Sequence, residues 1–91
     1  MQTYHLKISE ITDFCPAQYF IHLISGDKQI SIGYIRLRFG ELEAFYPDAS
    51  GCRAYYYKFA NEWKGSFVDD EEKMDYLIEC IESLVNYYNE E

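Results

Sequence analysis

The last quarter of the chain repeats apolar residues three and four positions apart, which is the spacing of one face of an α-helix. These positions are Met74, Leu77, Ile78, Ile81, Leu84, Val85 and Tyr88. Asp69 is a suitable N-cap, and Glu72 three residues later completes a pair similar to a capping box. The pattern therefore predicts one amphipathic helix over residues 69–91.

Residues 1–68 instead alternate apolar and polar side chains, which is typical of β-strands with one buried face. The first strand is predicted at residues 2–9 and the fifth at residues 53–60, after a turn around Pro47 and Gly51. Two hairpins between them supply the other strands.

Residues 18–25 fit two structures. A helix could begin near Pro16 and end at Gly26, since glycine commonly follows a helix. A strand is favoured, because β-branched and aromatic residues dominate and a Gly26–Asp27 turn would place like residues opposite each other. The predicted pairs are Leu23–Ile30, Ile21–Ile32 and Tyr19–Tyr34.

The next hairpin has a better defined register, with Phe39–Gly40 as its turn. One face would gain two cross-strand ion pairs and the other an aliphatic ladder. The predicted pairs are Arg38–Glu41, Leu37–Leu42, Arg36–Glu43 and Ile35–Ala44. Ile30 and Ile32 alternate in step with Arg36 and Arg38, whereas Ile35 and Leu37 do not. Either a bulge near Gly33 brings the apolar residues onto one face, or both faces of this strand are partly buried.

These elements predict a single α+β domain over residues 1–91: a five-stranded antiparallel meander with the C-terminal helix packed on one face. One helix covers one face of a sheet, so the other face is left open. The open face is predicted to carry Tyr34, Arg36, Arg38, Phe45, Tyr55 and Tyr57, a composition typical of protein-binding hot spots.

The net charge of −8 lies entirely in residues 69–91, which hold nine acidic residues and one lysine, whereas residues 1–68 hold seven of each sign. Capping and the helix dipole explain the first four acids. Asp75, Glu79 and Glu82 remain as an outer stripe that would steer a basic partner. The acidity argues against nucleic-acid backbones and anionic membranes as partners.

No residue pattern indicates catalysis, a cofactor or a metal. Cys15, Cys52 and Cys80 have no CxxC spacing, and with His5 and His22 they match no zinc pattern. The chain starts without the features of a signal peptide and has no apolar run that spans a bilayer, so we expect a cytoplasmic protein with reduced thiols.

The favoured interpretation is a small, non-enzymatic protein-binding domain, an inhibitor or immunity-type protein that occludes a basic, nucleic-acid-acting partner. The alternative is a homodimer that buries the open aromatic face, including Tyr34, Phe45, Tyr55 and Tyr57. A third, less favoured interpretation is a sheet that stacks single-stranded nucleic acid on its aromatic rings.

Overall fold

The computed structural model describes residues 5–12 and 16–90 and shows the predicted α+β fold. The strands β1 (His5–Thr12), β2 (Ala17–Ser25), β3 (Lys28–Arg38), β4 (Glu41–Tyr46) and β5 (Cys52–Lys58) form one antiparallel sheet in chain order. The helix α1 (Asp70–Glu90) follows. β1 continues three residues beyond its predicted end at Ser9, and its predicted start lies outside the described residues.

The segment with two possible structures is a strand, β2, and its hairpin with β3 contains a bulge near Gly33. His22 pairs with Ser31, but the next residue of β2, Ile21, pairs with Gly33, so Ile32 is the extra residue. The insertion brings Ile35 and Leu37 onto the same face as Ile30.

The bulge also corrects two predicted pairs of this hairpin. Leu23 pairs with Ile30 as predicted, whereas Ile21 pairs with Gly33 and Tyr19 with Ile35. The predictions Ile21–Ile32 and Tyr19–Tyr34 are each wrong by one residue because they assume an uninterrupted ladder.

All four predicted pairs of the β3–β4 hairpin are confirmed. Arg36 forms its ion pair with Glu43, at 3.0 Å between Nη2 and Oε1. The second predicted ion pair is not formed. Glu41 instead accepts a hydrogen bond of 2.8 Å from the Tyr56 hydroxyl, and the Arg38 guanidinium lies 5.5 Å from the centre of the Phe39 ring.

The helix begins with the predicted capping residues. The amide of Glu72 donates to Asp69 Oδ1 at 2.8 Å, and the carboxylate of Glu72 accepts from the amide of Val68 at 3.0 Å. Two amide groups at the helix start are thereby satisfied by side chains. Lys64 adds an ion pair with Glu72 at 2.8 Å, which connects the helix start to the preceding loop.

The helix α1 packs mainly on β3, β4 and β5, and the buried core also includes residues of β2. Leu77, Cys80 and Leu84 are the buried helix residues. Gly33 permits the close approach of this helix, because a Cβ atom at its position would overlap the side chain of Leu84.

The helix covers less of the sheet than one whole face. Leu6 and Ile8 of β1 pair with core residues of β2 and share their face, yet they are 48% and 39% exposed. Met74 and Ile78, two members of the predicted apolar stripe, are also exposed. In the part of the chain that the structure describes, no helix is long and apolar enough to cross a membrane.

Candidate functional site

The face of the sheet opposite the helix carries a row of aromatic rings across its three central strands. Register places Phe20, Tyr34 and Phe45 side by side, since Tyr34 pairs with both of the others. Their ring centres are 5.6 Å apart between Phe20 and Tyr34 and 6.4 Å between Tyr34 and Phe45. Such separations are those of packed aromatic pairs, so the row forms one continuous surface.

Arginine side chains hold fixed positions over this row and beside it. Arg36 lies 5.7 Å from the centre of the Phe45 ring, and Arg53 lies 4.6 Å from that of Tyr56. Both guanidinium groups bind Glu43, at 3.0 Å and 3.2 Å. One carboxylate therefore orients two arginines, each of which also has a cation–π contact. We call the surface formed by Phe20, Tyr34, Arg36, Arg38, Phe45, Arg53, Tyr56 and Lys58 the open face.

Four of the predicted surface residues lie on this face: Tyr34, Arg36, Arg38 and Phe45. Tyr34 is only 7% exposed, and its hydroxyl donates a hydrogen bond of 2.6 Å to Gln18. Its ring is therefore the base of the surface. The role of all four residues in binding stays a prediction.

Tyr55 and Tyr57 were predicted on the open face and lie on the other one. They pair with the core residues Ala44 and Leu42, and cross-strand partners share a face. The hydroxyl of Tyr55 bonds to Glu79 on the helix, and the ring of Tyr57 lies 5.2 Å from that of Tyr76. Tyr56 lies on the open face instead, because it pairs with Glu43. A bulge in β5 between Tyr55 and Arg53 brings Arg53 onto the same face.

The predicted acidic stripe on the helix is interrupted. Glu79 accepts a hydrogen bond of 2.5 Å from Tyr55. Burial, and then this bond to a carboxylate, raise the pKa of Tyr55 well above its usual range, so the hydroxyl remains a donor. Glu79 thus has a structural role, and Asp75 and Glu82 remain as exposed acids.

Charge is unevenly distributed over the sheet. By register, the described strands place five basic and two acidic residues on the side that includes the open face, a net charge of +3 for these strand residues. The basic residues are Lys7, Arg36, Arg38, Arg53 and Lys58, and the acidic ones are Glu41 and Glu43. The whole chain carries −8, so all the other residues together carry −11.

Two nitrogen atoms on this side are buried without a hydrogen-bond partner among the described residues: Arg36 Nε and His22 Nδ1. The serine opposite His22, Ser31, donates its hydroxyl to the carbonyl of Pro47 instead. Unsatisfied buried polar atoms are uncommon and costly, by about 1–3 kcal/mol each. Both atoms lie on the same side of the sheet as the arginines of the open face.

Two exposed rings at one end of the sheet were not singled out from the sequence. Phe39 is 59% and Trp63 76% exposed. With Pro16, Arg38 and Gly65 they line a cavity of about 210 Å³. The available signal was Phe39 itself, a bulky residue in a hairpin turn.

Residues 5–12 and 16–90 contain no group of three or more metal-ligating side chains that could hold an ion. Cys80 is fully buried, and burial raises the pKa of its thiol to about 12, so it is protonated and inaccessible. Cys15 lies outside the described residues.

Comparisons with known proteins give no relative: no family model, no curated protein and no solved structure matches this chain.

Proposed function

We propose that this chain is a non-enzymatic protein-binding domain and that its partner contacts the open face. One observation carries the proposal: a chain with a net charge of −8 places aromatic rings, oriented arginines and a net charge of +3 on the side of the sheet that its own helix leaves uncovered. Tyrosine and arginine are enriched in binding hot spots.

The open face has the preorganisation that protein interfaces favour. Glu43 holds Arg36 and Arg53, and Tyr56 is held by its bond to Glu41 and by the guanidinium of Arg53. Side chains already fixed before binding lose less conformational entropy when the complex forms, which leaves more of the contact energy as affinity.

The positive charge indicates that the partner contacts this face with an acidic surface. The outer side of the helix lies at least one helix diameter, about 10 Å, behind the sheet. The screening length at physiological salt is about 8 Å, so the acids on the helix weaken attraction at the open face only modestly. An inhibitor of a basic enzyme would instead use the helix side, where Asp75, Glu79 and Glu82 line a pocket of about 590 Å³ together with Tyr57, Tyr76 and Ile78.

Affinity capture from the native host tests the proposal with two matched variants. Arg38→Glu with Lys58→Glu reverses two exposed charges on the open face, and Asp75→Lys with Glu82→Lys reverses two exposed charges on the helix. We expect the wild type and the helix variant to retain the same partner and the open-face variant to lose it, with unchanged circular dichroism in all three. If the open-face variant retains the partner and the helix variant loses it, the result would favour an inhibitor of a basic partner.

A homodimer is the second candidate, and a different surface supports it. β1 is an edge strand of the sheet that the described residues form, and its Leu6 and Ile8 are exposed. Edge strands of this kind pair readily with a second copy. The open face offers less to a dimer, because Tyr34 is buried and Tyr55 and Tyr57 face the helix. Equilibrium sedimentation at micromolar concentration should show a dimer that Ile8→Lys dissociates; a wild-type monomer would exclude it.

A further inference from the structure

Phe39 and Trp63 are large aromatic residues whose exposure does not stabilise the fold. Large aromatic side chains gain stability when they are buried, by about 1.5–3 kcal/mol for phenylalanine. Here both rings stand in solvent around a cavity of about 210 Å³, which is large enough for one bulky apolar side chain. We call this cavity, lined by Pro16, Arg38, Phe39, Trp63 and Gly65, the aromatic slot.

The backbone of Phe39 is in a conformation that phenylalanine rarely adopts. Its φ is +52°, and the φ of Gly40 is +75°. Two-residue hairpin turns with two positive φ values favour Asn-Gly, since asparagine tolerates the left-handed region at little cost. Phenylalanine gains neither turn propensity nor burial at this position, and such strain is often found at binding sites.

The loop that presents Trp63 is held by the rest of the fold. The amide of Gly40 donates to the carbonyl of Lys64, and the amide of Ala17 donates to the carbonyl of Gly65, both at 2.8 Å. The ion pair of Lys64 with Glu72 ties the same loop to the helix. Trp63 is therefore exposed on a loop fixed to β2, to the β3–β4 turn and to α1.

Arg38 supplies the charge in the slot itself, and the adjoining pocket that shares Phe39 and Trp63 carries Glu41, Lys58 and Glu62. Arg38 is the one charged residue among the described residues that line the slot. It ends the row of basic side chains on the open face and lies 5.5 Å from the Phe39 ring. An apolar side chain in the slot would therefore place its neighbouring residues next to a guanidinium group, which favours carboxylates there.

We propose that the aromatic slot binds a bulky apolar side chain of an acidic protein segment, with a carboxylate next to that side chain bound by Arg38. This inference deepens the proposed function and rests on it, because the same segment would continue across the open face. A nucleic-acid strand, with a base on Trp63 and a phosphate on Arg38, is the competing occupant. A strand presents a phosphate at every nucleotide, whereas Arg38 is the one cation that lines the slot among the described residues, so the slot fits an apolar side chain better.

Trp63 is the chain's single tryptophan, so its fluorescence reports on the slot directly. The probes are capped peptides: Glu-Glu-Leu-Glu-Glu, a version with alanine for leucine, and a version with lysine for every glutamate. We expect the leucine peptide to shift the emission to shorter wavelength and to protect Trp63 from acrylamide, with half-saturation below about 1 mM. The alanine and lysine versions should bind at least about tenfold more weakly.

Variants of the slot separate recognition from folding. Arg38→Gln should weaken binding of the leucine peptide by about tenfold or more, whereas Asp75→Asn on the helix should leave the binding of this peptide unchanged. No spectral shift with the leucine peptide, or an equal response to the lysine peptide, would overturn the inference. A stronger response to oligo-dT at physiological salt would overturn it in favour of the nucleic-acid strand.

The natural partner distinguishes failure of this inference from failure of the proposed function. If Trp63→Ser still captures the partner and the open-face variant does not, the slot is not part of the interface while the open face is. If neither variant affects capture, the proposed function itself is wrong. Loss of capture with both variants is the result that we expect.

Discussion

At the scale of single residues, Phe39 exposes an aromatic ring from a backbone conformation that lowers local stability. Its left-handed backbone and exposed ring are both unfavourable for phenylalanine, and the neighbouring Gly40 completes a turn that asparagine would fit better. A residue that opposes local preference without a folding benefit is a candidate for function.

Replacing Phe39 by asparagine should therefore separate stability from binding. We expect Phe39→Asn to raise the free energy of unfolding by about 1 kcal/mol, because asparagine relieves the left-handed strain. Urea unfolding measures this change, and the Trp63 response to the leucine peptide should fall in the same variant. A less stable Phe39→Asn protein would show that the ring contributes to folding, which would remove this argument for the slot.

Glu72 gives a prediction of pH dependence. The bond from Lys64, and then the amide of Val68, lower the pKa of Glu72 below its ordinary value of 4.5. The folded state thus favours the ionised form, so its contribution to stability is present above pH 4.5 and is lost as the pH falls through the lowered pKa.

We expect Glu72→Gln to be less stable than the wild type at pH 7, by no more than about 1 kcal/mol because the ion pair is partly exposed. The difference should shrink as the pH falls below 4.5. Urea unfolding at several pH values checks this, with Glu71→Gln, an exposed neighbour in the same helical turn, as the control. A difference that persists unchanged at low pH would contradict the assigned cause.

At the scale of elements, the contact of β3 with α1 depends on one missing side chain. Gly33 faces Leu84 so closely that a Cβ atom would overlap it. Gly33→Ala should therefore lower the free energy of unfolding by about 1–3 kcal/mol, because the added methyl group overpacks the contact with Leu84.

A double variant tests whether Leu84 is the cause. Leu84→Ala alone should lower the free energy of unfolding by about 2–5 kcal/mol because it leaves a cavity. The loss should be smaller in the Gly33→Ala background, where the substitution also removes the overlap. Urea unfolding of the four proteins measures the coupling. Strictly additive losses would show that Gly33→Ala acts through the backbone instead.

The elements themselves were largely predictable from the sequence. The strand content of β2, the β3–β4 register, the bulge near Gly33 and the N-cap at Asp69 all follow from local periodicity and turn chemistry. Which residue is inserted at a bulge does not, because Ile32 and Gly33 are both compatible with the alternation. The two wrong pairs in the β2–β3 hairpin arise because the predicted ladder continues through the bulge without a shift.

The candidate site was predicted less completely, because it depends on how distant elements meet. The register of β5 with β4 determines which face each β5 residue occupies. A run of three tyrosines has no apolar–polar alternation from which this register could be predicted. Tyr55 and Tyr57 were therefore placed on the wrong face. The slot joins a turn to a loop more than twenty residues later, and no local pattern predicts that contact.

At the scale of the whole molecule, the open face differs in charge from the acidic chain that carries it. The net charge of −8 suggested a basic partner, but the side with the aromatic row carries +3. Because charges of one sign steer partners of the other, the contacting side determines the partner's chemistry more than the net charge does.

The association rate of the captured partner, measured across salt concentrations, tests the central claim most directly. We expect the rate to fall as salt rises for the wild type, and to be lower and less sensitive to salt for Arg38→Glu with Lys58→Glu. Asp75→Lys with Glu82→Lys should associate at least as fast as the wild type, because it reduces repulsion of an acidic segment. Slower association of this helix variant, with an unchanged rate for the open-face variant, would contradict the account.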